Sequence, residues 1–239
     1  MTVDILAIGV HPDDVELSAS GTLLKHINAG YSVALCDLTR GELGSRGSAE
    51  LRLQEAELAR KTMGAVAREN LGMEDGFFQS DKQNLLSLIR CIRLWQPKIV
   101  LANAVTDRHP DHGRAAKLIS DACFYAGLIK IETKDKEDMP QLPWRPLAVY
   151  HYIQDRNLKP DFLVDISPFM EKKMECIRCF GSQFYSPDQE GPETPISGKA
   201  FMEFMYAKNK AYGRDIGADY AEAFTVSRTP GITDLFHLV

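Results

Sequence analysis

Near-continuous apolar runs alternating with helix-period stretches constrain this chain most. DILAIGV at 4–10, SVALCDL at 32–38 and KIVLANA at 98–104 carry too few polar positions for strands with one wet face. Strands buried on both faces belong to parallel sheets, and parallel strands need crossover helices. The intervening segments supply them. A helix from about Val15 to Ala29 closes at Gly30, and another runs through ELRLQEAELARKTMG at 50–64. After a short strand near Val66–Leu71, a helix from about Lys82 to Trp95 stops before Pro97, and one more runs through AAKLISDACFYAG at 115–127. The expected fold is α/β: a Rossmann-like, doubly wound, mostly parallel sheet with helices on both faces.

Residues 130–146 are charged and contain proline, which predicts a surface excursion. Beyond it, LAVYHYI, DFLVDI and AEAFTVSR read as strands. SPFMEKKMECIRCF and a long final helix add to them, with the Pro/Gly loop SPDQEGPETPISG at 186–198 between. The whole is expected as a single domain over 1–239, with its Rossmann-like core at about 1–129 and a C-terminal α+β extension at about 147–239. A chain of 239 residues needs no disulfide or structural metal to fold, and five cysteines suit a reducing compartment. Cys176-x-x-Cys179 has no second pair, and helical spacing of its apolar neighbours makes both cysteines core residues. A net charge of −5 with scattered Lys and Arg argues against nucleic acid or an anionic membrane as partner. The opening MTVDILAIGVHPDD has no basic leader region, so a cytoplasmic protein is expected.

The first strand leaves the core into GVHPDDVE at 9–16, and the fourth leaves into RHPDH at 108–112. Pro and Asp at a helix start have a plain reading as caps. Capping does not ask for a histidine before each Pro, nor for the one at 112. In the strand order 3-2-1-4-5, strands one and four are neighbours, and their C-terminal ends form the switch-point crevice where ligands bind. The two loops should therefore face each other, gathering His11, Asp13 and Asp14 with His109, Asp111 and His112. A dinucleotide site at this place needs a Gly-rich turn, and GVHPDDVE puts two carboxylates where phosphate would sit. GELGSRG at 41–47 lacks that spacing and reads as a substrate-facing loop. Two imidazoles and one carboxylate suit a catalytic zinc with a position open to water. A second carboxylate can serve as base and a further histidine as hydrogen-bond donor. Spacing alone leaves open which Asp does which.

HPDDVE and HPDH resemble the zinc-dependent N-acetylglucosamine deacetylases of the LmbE/PIG-L family. The resemblance extends to ELRLQEA at 50–56, GMEDG at 72–76, GSQF at 181–184, ETP at 193–195 and GADYAEAF at 217–224. The C-terminal stretches look most like the deacetylases of bacillithiol synthesis, which act on N-acetylglucosaminyl-malate. The resemblance implies a metal held by His11, Asp14 and His112, zinc or another divalent ion such as Fe²⁺. It implies Asp13 as general base, His109 as an imidazolium holding the oxyanion, and Asp111 orienting His109. Arg52 and Asp75 match positions that contact the sugar. Arg52 also reads as one of an exposed helix ion pair, and Asp75 as a turn residue before Gly76. Arg108 reads either as a contact for a substrate carboxylate or as a salt bridge. Phe201 stands where relatives carry Tyr, a vacancy that Tyr185 could fill. The expected partner is a small N-acetylglucosaminyl substrate, in a homo-oligomer such as a hexamer. The alternatives are another N-acetyl sugar, a thiol-conjugate amide, or a metal-binding regulatory protein without turnover, which would need neither Asp13 nor His109.

Overall fold

The computed structural model describes residues 2–186 and 191–237, so positions 187–190 of the 186–198 loop lie outside it. Its strands are β1 (Ile5–Gly9), β2 (Val33–Thr39), β3 (Ala67–Met73), β4 (Ile99–Ala102), β5 (Ala148–Tyr152), β6 (Phe162–Asp165) and β7 (Ala221–Val226). Its helices are α1 (Asp14–Asn28), α2 (Ala49–Met63), α3 (Lys82–Trp95), α4 (Pro110–Ala126), α5 (Met170–Arg178) and α6 (Lys199–Asp215). The sheet order is β3-β2-β1-β4-β5-β7-β6. β1 runs parallel to both β2 and β4, with Ile5 opposite Val33 and Ile99. β7 is antiparallel to both neighbours and joins the C-terminal part to the same sheet. The doubly wound order read from the sequence is therefore the one observed, and β1 and β4 lie side by side.

Side chains alternate across β1, so its apolar run feeds two cores. Leu6 and Ile8 pack with Leu88 and Ile92 of α3 and Leu118 of α4. Ile5 and Ala7 pack on the other face with Val15 and Leu23 of α1. A third cluster joins Ala56 and Ala59 of α2 to Met170, Met174 and Ile177 of α5. Cys176 is buried and Cys179 half-buried, as core residues would be. The helix carrying Cys176 ends at Arg178, with Cys179 as its C-cap, so Phe180 packs from the following turn. Among the described residues, no helix is long and apolar enough to cross a membrane.

One charged cluster sits inside the fold and orients the start of α1. Arg68 lies 2.5 Å from Glu16 and 2.7 Å from Asp37, all three side chains nearly inaccessible. Breaking a buried pair strands a charge, at a cost of about 3–5 kcal/mol. Arg68→Met should lower unfolding free energy by about that amount in urea titrations. The penalty should shrink on acidification. Burial already pushes the Asp37 carboxyl up against the pull of Arg68. Without Arg68, the Asp37 carboxyl would be pushed up further by burial and would ionise less readily folded than unfolded. Stability would then be lost as pH rises above about 4, where unfolded carboxylates ionise.

Candidate active site

β1 ends on Gly9, where a Cβ would come within 3.0 Å of the Asp14 Cβ. That closeness lets the chain fold back sharply, and Asp13 takes a strained φ of 136°. Asp14, first residue of α1, turns its carboxylate back under the loop. Its Oδ2 accepts from the Val10 and His11 amides at 2.9 and 3.0 Å and from Asn103 Nδ2 at 2.9 Å. Its Oδ1 accepts from Gln154 Nε2 at 3.1 Å and lies 3.2 Å from His112 Nε2. Burial alone would raise the Asp14 pKa, but His112, His11 and these hydrogen bonds together hold it well below the usual carboxylate range.

The second loop brings its histidines to the same point. The rings of His11, His109 and His112 lie 4.8–5.8 Å apart, centroid to centroid. Donor atoms of His11, Asp14 and His112 all fall within 4.8 Å of one another, and so do those of His11, His109 and Asp111. Each histidine of the first set is gripped by a carboxylate. Asp107 Oδ2 lies 2.7 Å from His112 Nδ1, and Asp75 Oδ1 lies 2.9 Å from His11 Nε2. With the gripped nitrogens protonated, the lone pairs of His11 Nδ1 and His112 Nε2 are left on the Asp14 side. Burial pushes His112 down, but Asp14 and Asp107 outweigh it and raise its pKa to about 10. A site that stabilises positive charge between two carboxylates, with two imidazoles and one carboxylate converging, fits a divalent cation such as Zn²⁺.

Asp13 sits beside this set, buried, with Arg52 Nη2 2.6 Å from its Oδ2. Arg52 Nε donates to Pro12 O at 3.0 Å. Burial raises the Asp13 pKa, Arg52 opposes it, Asp14 adds to it, and the result is about 6. Arg52 is therefore neither exposed nor paired along its helix, and two of its three guanidinium nitrogens, Nε and Nη2, are engaged in the cluster. Asp75 is likewise engaged there, because its second oxygen accepts from the Leu43 amide at 3.0 Å. Both residues line the pocket, yet the hydrogen bonds seen go to other site residues rather than outward.

His109 caps α4, its Nδ1 accepting from the Asp111 amide at 3.3 Å, which leaves Nε2–H free to donate. Burial lowers its pKa, and the charges of His11 and His112 lower it further. A neutral donor fits this environment better than the imidazolium expected. The Asp111 carboxylate accepts from the Gly76 amide at 2.9 Å and lies 3.0 Å from Arg114 Nη1. It is not hydrogen-bonded to the His109 ring; the link between the two residues runs through the Asp111 amide. Arg108 pairs with Asp155 at 2.5 Å, the salt-bridge alternative. Phe201 lines the pocket and stacks on Phe184 at 5.8 Å, whereas Tyr185 is not part of the lining. Asn103, Asp107 and Gln154 were not singled out in the sequence. Asp107 stands two residues before His109 in the loop that joins β4 to α4, and that proximity is the only signal the sequence offers.

The pocket these residues line has a volume of about 330 Å³ and reaches from His11 and Asp13 to an outer wall of Ile196, Phe201 and Phe204. A doubly wound sheet whose switch point converges two imidazoles and a carboxylate, with a second carboxylate alongside, defines a candidate metal-dependent hydrolase site. Residues 6–123 match the model of the family described as PIG-L, GlcNAc-PI de-N-acetylase. The chain is 30% identical to the diacetylchitobiose deacetylase of Thermococcus kodakarensis, over 95% of this chain and 84% of that protein. It is 28% identical to the 4-oxalmesaconate hydratase of Pseudomonas putida, over 74% of this chain and 73% of that one. Among solved structures it resembles the conserved protein TT1542 of Thermus thermophilus, with a TM-score of 0.85, 32% identity, and 97% and 98% of the two chains covered. The chain belongs to the PIG-L family.

Proposed function

We propose that this protein is a metal-dependent deacetylase of an N-acetylglucosaminyl conjugate, with N-acetylglucosaminyl-malate as the substrate. The observation that carries the reading is the convergence, in one pocket, of His11, Asp14 and His112 with Asp13 and His109. The three ligands would hold Zn²⁺ or another divalent ion, which supplies Lewis acidity to the acetyl carbonyl and makes water a stronger acid. Arg52 occupies Oδ2 of Asp13, so Oδ1 is the atom that takes the proton from the attacking water. A pKa near 6 suits that task at neutral pH. His109 Nε2–H donates to the carbonyl oxygen as charge develops on it. Asp13 then returns its proton to the leaving amine. Arg108 is neutralised by Asp155, so the positive charge on the pocket wall comes from Lys208, which supports an acidic aglycone. Five free cysteines support a reducing, cytoplasmic setting, and exposed Phe124, Ile129, Leu142 and Leu147 support a homo-oligomer.

Two measurements check this reading. Acetate release is compared on N-acetylglucosaminyl-malate, diacetylchitobiose and a thiol-conjugate amide, beside hydration of 4-oxalmesaconate. The malate glycoside should be turned over best. Preference for another amide would replace the substrate, and hydration without any acetate release would remove the deacetylase reading. Asp107→Ala should weaken Zn²⁺ affinity about 10–100-fold, because the His112 ring loses the partner that orients it. Asp107→Asn, whose amide oxygen still accepts from Nδ1–H, should lose less. Chelator competition measures both.

A further inference from the structure

A buried ion pair engages backbone groups of helix α1 in mid-helix. The amide of Gly21 would ordinarily donate to the carbonyl of Leu17, four residues back. The Gly21 and Thr22 amides donate to Glu222 Oε1 and Oε2 at 2.9 and 2.7 Å. The Leu17 carbonyl accepts from Lys173 Nζ at 2.7 Å, and Lys173 and Glu222 meet at 2.6 Å. Both ends of one helical bond are thus engaged by the two halves of a salt bridge. Ser20 Oγ bonds back to the Glu16 carbonyl at 2.6 Å, a contact that bends helices. A Cβ on Gly21 would lie 2.7 Å from Ile166, so a bare glycine belongs at this point of the helix.

We propose that Lys173 and Glu222 are a positioning pair for Asp14: they set the direction of the first two turns of α1, and so the place of its carboxylate beside His11 and His112. The proposal rests on the reading of those three residues as metal ligands. Lys173 belongs to α5 and Glu222 to β7, and both side chains are fully buried. The C-terminal part of the chain thereby acts on a helix whose first residue is one of three ligands from the first half. Stability alone does not call for this arrangement, since a well-packed apolar pair often serves as well as a buried ion pair. Seven residues separate Gly21 from Asp14, about 10 Å of helix axis. A change of about 10° at Gly21 would move Asp14 by roughly 2 Å, while ligand distances in metal sites hold to about 0.2 Å. The segment so steered also carries Leu17 and Ser18 into the pocket wall.

The test compares Zn²⁺ affinity, by chelator competition, in three variants of the full chain. Lys173→Met/Glu222→Met removes both charges and leaves the Gly21 and Thr22 amides only their own helix carbonyls. Glu222→Asp keeps the charge pair but is one methylene too short to hold both amides. Leu23→Ala loses core packing on the same helix without touching the ladder. The first two should bind Zn²⁺ at least tenfold more weakly, with kcat lowered more than KM is changed, and Leu23→Ala should stay within twofold. Either of the first two, folded and with wild-type affinity, overturns the proposal, as does an equal loss in Leu23→Ala. Wild-type protein that takes up Zn²⁺ but releases no acetate sinks the deacetylase reading and leaves the positioning result standing. Wild-type protein that takes up none overturns the metal assignment and this proposal with it.

Discussion

Asp13→Asn should retain its metal and lose about 10³-fold in kcat, the contribution a positioned general base makes. The substitution is close to isosteric. Its amide oxygen can still accept from Arg52, as Oδ2 does at 2.6 Å. Asparagine also tolerates positive φ better than most residues, so the backbone at 136° should hold. What disappears is the proton acceptor, together with one negative charge beside Asp14. The acid limb of kcat/KM should vanish with it. In the wild type, activity falls as pH drops through the pKa of Asp13, which is about 6 without a cation and lower beside one. Metal content and acetate release, measured on one preparation, decide the matter. A variant within tenfold of wild-type kcat would exclude Asp13 as the base.

The parallel core was legible because burial on both faces removes polar alternation, leaving runs such as KIVLANA that can be little else. Helix α3 begins at Lys82 and ends at Trp95, as expected, because Asp81 caps one end and Pro97 follows the other. α4 starts earlier than its apolar pattern suggests, at Pro110, since His109 itself provides the cap. The two H-P-D loops were legible for a topological reason: once β1 and β4 are neighbours, their C-terminal loops must meet. Single polar residues whose role depends on tertiary contact left no mark of their own, and Arg52 and Asp75 entered only through the family resemblance. Arg52 looks like any helical arginine until α2 packs it against Pro12 and Asp13. Asp75 looks like a turn residue, and its turn is what delivers it to His11. Asn103, Asp107 and Gln154 stand alone between apolar strands and helices, where no period marks them. Nothing local marks Glu16, Arg68, Lys173 and Glu222 as buried, because each is satisfied by a partner distant in sequence. Sequence period reports burial of a face; it does not report which polar groups are satisfied inside.

Asp14→Ala separates the two readings of HPDD by magnitude. If Asp14 only caps and complements α1, its loss costs about 1 kcal/mol and leaves the pocket working. The structure gives it far more to hold. Two loop amides, the Asn103 and Gln154 side-chain amides and the His112 ring all converge on one carboxylate. Alanine would leave those donors without their acceptor in a buried place, at about 1–3 kcal/mol for each group that water cannot reach. The two gripped histidines would face each other with no anion between them. The expected result is a stability loss of at least about 3 kcal/mol in urea titrations, no retained Zn²⁺, and acetate release below detection. Asp14→Asn should recover part of the stability, since one oxygen still accepts, but not the metal, because the negative charge is gone. A loss near 1 kcal/mol with metal intact would reduce Asp14 to a cap and move the metal assignment to the other triad, His11, His109 and Asp111.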